Sequence, residues 1–314
     1  MPPKLKTVFR PLGHTRLLQN GGVRPQDFEI EYEDVPVLIQ AFRRMVRNLE
    51  FDVCELAFTT YLCAKAHGKA FTALPVFPAR VFHHGAILHN RKAGIRMPKD
   101  LEGKTVGIHR GYTVTTGVWA RAILQHEYGV DLRTITWLLS GDEHLEEFRP
   151  PSNVVPIRKG KKLEEMLASG EIPAAINVEV EHPDVERLIP NAEKAGFEAL
   201  RTRGFYPINH TVVVKDDLLS ANPNLARDLF NTFVEAKLPY IGRLEANEIQ
   251  EPSKTDKTYK RVMETTGSDP LPYGVEPNRP MIEAVMQYAR EQGILSRAFA
   301  MEELFAPGTL DLVG

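Results

Sequence analysis

Asp100-Leu101-Glu102-Gly103-Lys104-Thr105-Val106-Gly107-Ile108 runs from a polar turn into a short apolar strand, and its surroundings set the architecture. Asp100 to Gly103 forms the turn, Lys104 to His109 the strand, and Arg110-Gly111-Tyr112-Thr113 a second turn. Val114, Val118, Ala122 and Ile123 then mark a helix that Gly129 stops. A strand entering a helix through a glycine- and hydroxyl-rich turn is the repeating part of a parallel sheet. Upstream, Leu5 to Arg10 reads as a strand, ended by Pro11 and Gly13 in a loop carrying His14 and Thr15, with a helix after it. Apolar residues at Leu38, Ala41, Phe42, Met45, Val46 and Leu49 share one helical face. Phe51 to Phe58 is an apolar strand holding Glu55, and Thr59 and Thr60 stand where the next helix begins. Ala73 to Leu88, broken by Pro75 and Pro78, suits an extended segment near a sheet edge. Downstream, Lys162 to Ser169 reads as a helix capped by Gly170, Pro173 to Val178 as a strand ending at Asn177, and His210 to Lys215 as another strand. Asn222-Pro223 suits a helix cap with proline at the first helical position. The polar stretch Glu245 to Pro272 reads as a mobile surface excursion, and Pro280 to about Gln292 as a last helix.

The chain has 314 residues, enough for two lobes, with 39 Lys plus Arg against 41 Asp plus Glu, hence a net charge of −2. With 43% hydrophobic and 25% charged residues it has the make-up of a globular protein, not of a disordered tail or a fibre. No basic stripe suits nucleic acid, and no run of 18 apolar residues suits a bilayer, so neither partner is expected. Cys54 and Cys63 lie in an apolar stretch and read as core residues, without disulfide or zinc. Lys4 and Lys6 are followed by too short an apolar run for a secretory signal, and the expected location is the cytoplasm. Phosphate-loop, dinucleotide and Gly-x-Ser-x-Gly motifs are missing, and the histidines lack metal-ligand spacing, so neither a cofactor nor a metal is expected.

Three strings together resemble the type II periplasmic-binding-protein fold: the 100–108 stretch with its turn and helix, Leu163 to Ile176, and Thr211 to Leu218 with the helix after it. The resemblance implies an α/β fold of two lobes, each a mixed, mostly parallel sheet flanked by helices, with the ligand cleft between them. The expected division is 1–108 for the first lobe, 109–209 for the second, and 210–314 for the return. Two further strings, Asp52 to Leu62 and Phe77 to Ile87, are similar to the 4,5-dihydroxyphthalate decarboxylase family. That likeness implies a carboxy-lyase converting a hydroxylated phthalate to 3,4-dihydroxybenzoate. The alternative is a solute-binding or sensing protein for an aromatic acid or other small anion, since this architecture mostly serves solute capture.

An aryl carboxylate loses CO2 only once the ring has been protonated, and histidine suits that work because its ordinary pKa lies near 6.5. Among His83 and His84, which point oppositely in an extended segment, His84 is favoured because Arg80 and Phe82 then share its face. His210 stands at the expected second crossing between lobes. Glu55, alone in an apolar strand, needs a partner; it orients a histidine, accepts a phenolic proton, or forms a structural ion pair with an arginine. Arg80 could hold one substrate carboxylate. The turn of Arg110, Tyr112 and Thr113, with Thr115 inside the helix, offers N–H groups, hydroxyls and a guanidinium for another, and simple threonine capping is the competing account. Thr59 and Thr60 are candidates of the same kind, and His14, Arg10 and Asn177 are weaker ones at strand ends. A second copy of the chain is a conceivable partner through the helical stretch Met281 to Ala289.

Overall fold

A computed structural model describes residues 2–314. The chain divides into two compact units. The first holds the chain up to Arg80, Ile208–Ile282 and Phe299–Gly314; the second holds Val81–Pro207 and Glu283–Ala298.

The first unit opens with β1 (Lys4–Val8), α1 (Arg16–Gln19), β2 (Glu29–Tyr32), α2 (Leu38–Asn48), β3 (Val53–Ala57), α3 (Phe58–Ala66) and β4 (Phe71–Arg80). In the second unit follow β5 (Ile87–Asn90), β6 (Thr105–Ile108), α4 (Thr115–Tyr128), β7 (Thr136–Leu139), β8 (Val154–Pro156), α5 (Leu163–Ser169), β9 (Ala174–Ile176), β10 (Val185–Arg187) and α6 (Ala192–Arg203). The chain returns through β11 (Ile208–Lys215), α7 (Asp216–Ala221), α8 (Leu225–Glu245), α9 (Lys254–Thr266), α10 (Arg279–Glu291) and α11 (Met301–Leu304).

Each unit has its own mixed sheet, of order β2-β1-β3-β11-β4 in the first and β10-β5-β9-β6-β7-β8 in the second. In the first, β1 runs parallel to β2 and β3, while β11 runs antiparallel between β3 and β4. In the second, β6, β7, β8 and β9 are parallel, and β5 runs antiparallel between β9 and the edge strand β10. Leu5, Val53, Leu74, Val212 and Val214 from one sheet pack with Leu225, Leu229, Phe230 and Phe233 of α8. Leu163, Leu167 and Ile172 pack with Leu138 and Ala175 beside the second sheet. The apolar spacing that predicted α2 is that of its buried Ala41, Phe42, Met45 and Val46, whereas α4 is buried on every side from Gly117 to Leu124.

The structure corrects several expectations. A boundary at residue 108 would leave β5 and β6 with the first unit, but both are bonded to β9 in the second sheet, so the chain crosses at Arg80. Ala73 to Leu88 is not one extended run: β4 ends at Arg80 and His84–Ala86 form a 3-10 turn. The proline-bearing β4 does lie at its sheet's edge, and its pairing with β11 shifts register on both sides of His210. α8 starts at Leu225 behind Asn224, not at Asn222-Pro223. The stretch expected to be mobile contains α9, where Ser253 and Asp256 form a capping box and Tyr259 and Val262 are buried. On α10, Ile282, Val285, Met286 and Ala289 are buried within the chain, so that face is not free for a second copy.

Candidate functional site

The carboxyl ends of β1, β3 and β4 and the start of antiparallel β11 share one edge of the first sheet: Val8 lies opposite Cys54, and His210 opposite both Ala57 and Ala79. Because Val212 is opposite Glu55, His210 is Glu55's diagonal neighbour on the same face, within reach of long side chains. The register shifts in β4 on either side of His210 are the sort of irregularity that re-aims a side chain.

Glu55 is fully buried yet fully used. Its Oε2 accepts the Arg10 backbone N–H at 2.8 Å, and its Oε1 accepts Arg10 Nε at 3.3 Å and Nη2 at 3.2 Å. His210 Nδ1 lies 2.5 Å from the same Oε1, and Arg10 Nη2 lies 3.0 Å from Nδ1. The shorter contact places the imidazole hydrogen on Nδ1, donated to Glu55, and leaves Nε2 without one in the neutral ring. Burial opposes the Glu55 charge, but the Arg10 guanidinium and the bond from His210 outweigh it and hold the carboxyl at about 2. In His210, burial pushes the pKa below the ordinary 6.5 although Glu55 pulls the other way. Of the roles open to Glu55, the ion pair with an arginine is present, with Arg10, and the carboxylate also meets His210, whereas acceptance of a phenolic proton does not fit a carboxyl so acidic. Phe42 meets the His210 ring edge-on at 5.2 Å and fixes its plane.

Further groups surround this pair. His14 is buried, with Nε2 3.0 Å from the Pro78 carbonyl, which it reaches as a donor, and Nδ1 has no hydrogen-bond partner among the described residues. Burial lowers the His14 pKa to about 4, so its Nδ1 is an acceptor at neutral pH. Tyr259 of α9 faces the His14 ring at 6.3 Å, and burial raises its pKa to about 12, against the opposing charges of Arg10 and Arg80. Lys237, buried in α8, donates to Asp269 and to the Leu271 carbonyl and sits 4.3 Å above the Tyr273 ring. Arg80 is buried, and its charge acts on both Tyr259 and Lys237. Thr59 and Thr60 are buried in the first turn of α3, behind Ala57 at its cap.

The second unit handles the remaining candidates differently. His84 is completely buried with Nε2 3.0 Å from Glu127 of α4, and Glu127 also pairs with Arg203. Phe82 packs on Phe197 and Tyr206, each 4.9 Å away. The shared face that favoured His84 therefore does not form, because the backbone turns after Arg80. Arg110 has a φ of 72° and donates its N–H to Ser140 Oγ at 2.8 Å. Tyr112 and Thr113 give their N–H groups to the Glu143 carboxylate at 2.5 and 3.1 Å, and Thr113 Oγ1 donates to it at 2.6 Å. The cap residue of α4 is Val114, without a side-chain bond, so threonine capping is not what the turn does. Thr115 is buried one residue on, and Asn177, at a φ of 61°, ends β9 where His109 donates to the Ile176 carbonyl.

Arg121, Glu143, Lys237 and Tyr259 escaped sequence reasoning. Lys237 could have been found, since it falls four after Phe233 on a buried helical face, and Arg121 three after Val118. Tyr259 lay in a stretch taken as loop. Among the described residues, no group of three or more His, Cys, Asp or Glu side chains could hold a metal ion. No described helix is long and apolar enough to cross a membrane.

Sheet order, crossings and strand-end polar groups define a protein of the type II periplasmic-binding-protein fold. The periplasmic aliphatic sulphonate binding protein SsuA from Escherichia coli superposes at a TM-score of 0.55, with 11% identity over 97% of this chain and 92% of that one. A Candida albicans protein of generic periplasmic-binding-protein fold gives 0.53 at 14% identity, over 99% of each chain. The desulfurization enzyme DSZB gives 0.53 at 11%, over 98% of each. Sequence goes further. The chain is 30% identical over 308 residues to 4,5-dihydroxyphthalate decarboxylase from Comamonas testosteroni, covering 91% of this chain and 92% of the relative. It is also 30% identical over 204 residues to the protein of that name from Pseudomonas putida, covering 58% of this chain and 79% of that relative. It belongs to the 4,5-dihydroxyphthalate decarboxylase family. No protein-family model matches it.

Proposed function

We propose that this chain decarboxylates 4,5-dihydroxyphthalate, or a related hydroxylated phthalate, to 3,4-dihydroxybenzoate, with His210 giving the proton to the ring. The observation that carries the reading is the 2.5 Å contact of His210 Nδ1 with Glu55, a buried carboxylate that Arg10 keeps ionised. The relatives' activity supplies the substrate class.

The chemistry follows from the ring. Breaking the bond to CO2 directly would strand an electron pair in the ring plane. A proton from His210 Nε2 therefore adds first to the carbon bearing the carboxylate, while the para hydroxyl spreads the positive charge. The carbon–carboxylate bond then breaks, its electron pair restores the aromatic ring, CO2 leaves, and neutral His210 regains a proton from water. Glu55 favours the imidazolium, and a bound dianion adds to that preference, so the complex holds the acid form that the empty site disfavours. Arg80 and the N-terminus of α3 at Thr59 and Thr60 take carboxylate charge, and His14 Nδ1 accepts a hydroxyl of the ring. His84 has no part in this scheme.

The test is release of CO2 and 3,4-dihydroxybenzoate by the purified protein. His210→Asn should lower turnover about 10²- to 10⁴-fold. Binding of unreactive phthalate should stay within about tenfold, because a proton donor and not an anion contact is removed. Unchanged turnover in the variant, or tight binding of dihydroxyphthalate with no product, would overturn the reading.

A further inference from the structure

We propose that Tyr240 is a positioning residue whose hydroxyl bond to Asp256 holds the loop carrying His14, and that it thereby sets the protein's preference for ring-hydroxylated aromatic acids over unsubstituted ones. The proposal rests on the reading above only in taking His14 Nδ1 to accept a hydroxyl of the ring.

The loop between β1 and α1 carries two residues of the site, Arg10 and His14. Its ends are tied together by Thr15, whose Oγ1 donates to the Arg10 carbonyl at 2.6 Å and accepts the Leu12 N–H at 2.8 Å. Its middle leans on an aromatic ring. A Cβ at Gly13 would stand 2.5 Å from Tyr240 Cδ2 and nearer still to Cε2, so the backbone beside His14 lies against the Tyr240 ring and only glycine fits there. The His14 ring centroid is 5.7 Å from that of Tyr240. Where Tyr240 sits therefore decides where His14 sits. It also decides which way Nδ1 faces, because Nε2 is already committed to the Pro78 carbonyl.

α8 does not fix Tyr240 by itself. Pro239 precedes it inside the helix and supplies no N–H to the Glu235 carbonyl, so the helical ladder is interrupted one residue before the ring. The Tyr240 hydroxyl provides the missing restraint by donating to Asp256 Oδ1 at 2.5 Å. Asp256 is held in turn through its other oxygen, which accepts the Ser253 N–H at 2.8 Å and the Ser253 hydroxyl at 2.7 Å in the capping box of α9. Burial opposes the Asp256 charge, but the bonds from Tyr240 and Ser253 outweigh it and hold the carboxyl below its usual range, so the acceptor stays ionised at neutral pH. One helix cap thus reaches, through a single phenol, the loop that meets the ring hydroxyl. A hydrogen bond to His14 Nδ1 weakens steeply with misalignment, whereas the hold on a substrate carboxylate, made by other residues, does not depend on His14.

Titration calorimetry on the full chain with 3,4-dihydroxybenzoate and with benzoate, which share the carboxylate and differ only in the hydroxyls, tests this. The unaltered protein should prefer dihydroxybenzoate. Tyr240→Phe, which keeps the ring and loses the bond, should weaken dihydroxybenzoate about fivefold and change benzoate less than about twofold. Asp256→Ala should do the same, and the two changes together should cost no more than either, because they remove one bond. In a His14→Leu background Tyr240→Phe should alter neither affinity; should that background fail to fold by circular dichroism, the comparison with Asp256→Ala decides. Equal losses for both acids would mark a merely structural role and overturn the proposal. So would an unchanged dihydroxybenzoate affinity, additive losses in the double variant, a loss that persists without His14, or no binding preference in the unaltered protein. Turnover is not read, so the two ideas fail separately. A selective loss in a protein that releases no CO2 keeps the role of Tyr240 and removes the decarboxylase, whereas CO2 release with equal losses does the reverse.

Discussion

Glu55 shows how far a single residue can be read. A carboxylate in an apolar strand demands a partner from its surroundings. The sequence could not say which, because its two partners are Arg10, 45 positions away, and His210, 155 positions away. The arrangement has a pH signature. The basic limb of kcat/KM reports the acid group of the free protein, and that of kcat the group in the complex. Because burial lowers the His210 pKa and activity needs its protonated form, kcat/KM should fall as pH rises through a value below 6.5. The limb for kcat should lie higher, where a bound dianion supports the imidazolium. Glu55→Gln removes the charge that pulls the His210 pKa up, so its kcat/KM limb should move further toward acid. A limb that stays in place would show that Glu55 does not act through His210.

At the scale of elements, local signals served well where the pattern was dense. Gly170 caps α5 at a φ of 77°, and Gly129 ends α4 at 64°, both as their positions after apolar helices suggest. α9 was missed because its capping box, Ser253 with Asp256, precedes a helix with few apolar residues, and polar composition outweighed the cap. The expected face of Arg80, Phe82 and His84 does not form because a proline-broken strand was read as continuing past Arg80. Gly107 in β6 tests how tightly such elements pack. A Cβ there would stand 2.8 Å from Leu163 Cδ2, 3.0 Å from Ile172 Cδ1 and 3.2 Å from Ala175 Cβ. Gly107→Ala should therefore cost about 1–3 kcal/mol of overpacking. Urea unfolding of the second unit would show it as a lower midpoint with unchanged slope, and no shift would mean that α5 can give way.

Across the whole molecule, buried histidine and carboxylate make stability depend on acid in a set order. His14 has a folded pKa of about 4, below the ordinary 6.5, so burial favours its neutral form. Its contribution is complete above pH 6.5 and lost as pH falls toward 4, a change of about 3 kcal/mol. Glu55, held at about 2 against an ordinary 4.5, loses its contribution only below that, between pH 4.5 and 2. Unfolding free energies measured from pH 7 to 4 should fall less in His14→Gln than in the unaltered protein, and parallel curves would contradict this assignment. The chain by itself determined the alternation of strands and helices, because periodicity, caps and turn glycines act within a few residues, and its longer strings carried the resemblance that implied the class of fold and the family. Only the tertiary structure decided that β5 and β6 join the second sheet, that His210 meets Glu55 while His84 meets Glu127, and that Glu143 already fills the turn at α4. Those outcomes depend on bonds between residues tens to hundreds of positions apart, whose register no local pattern encodes.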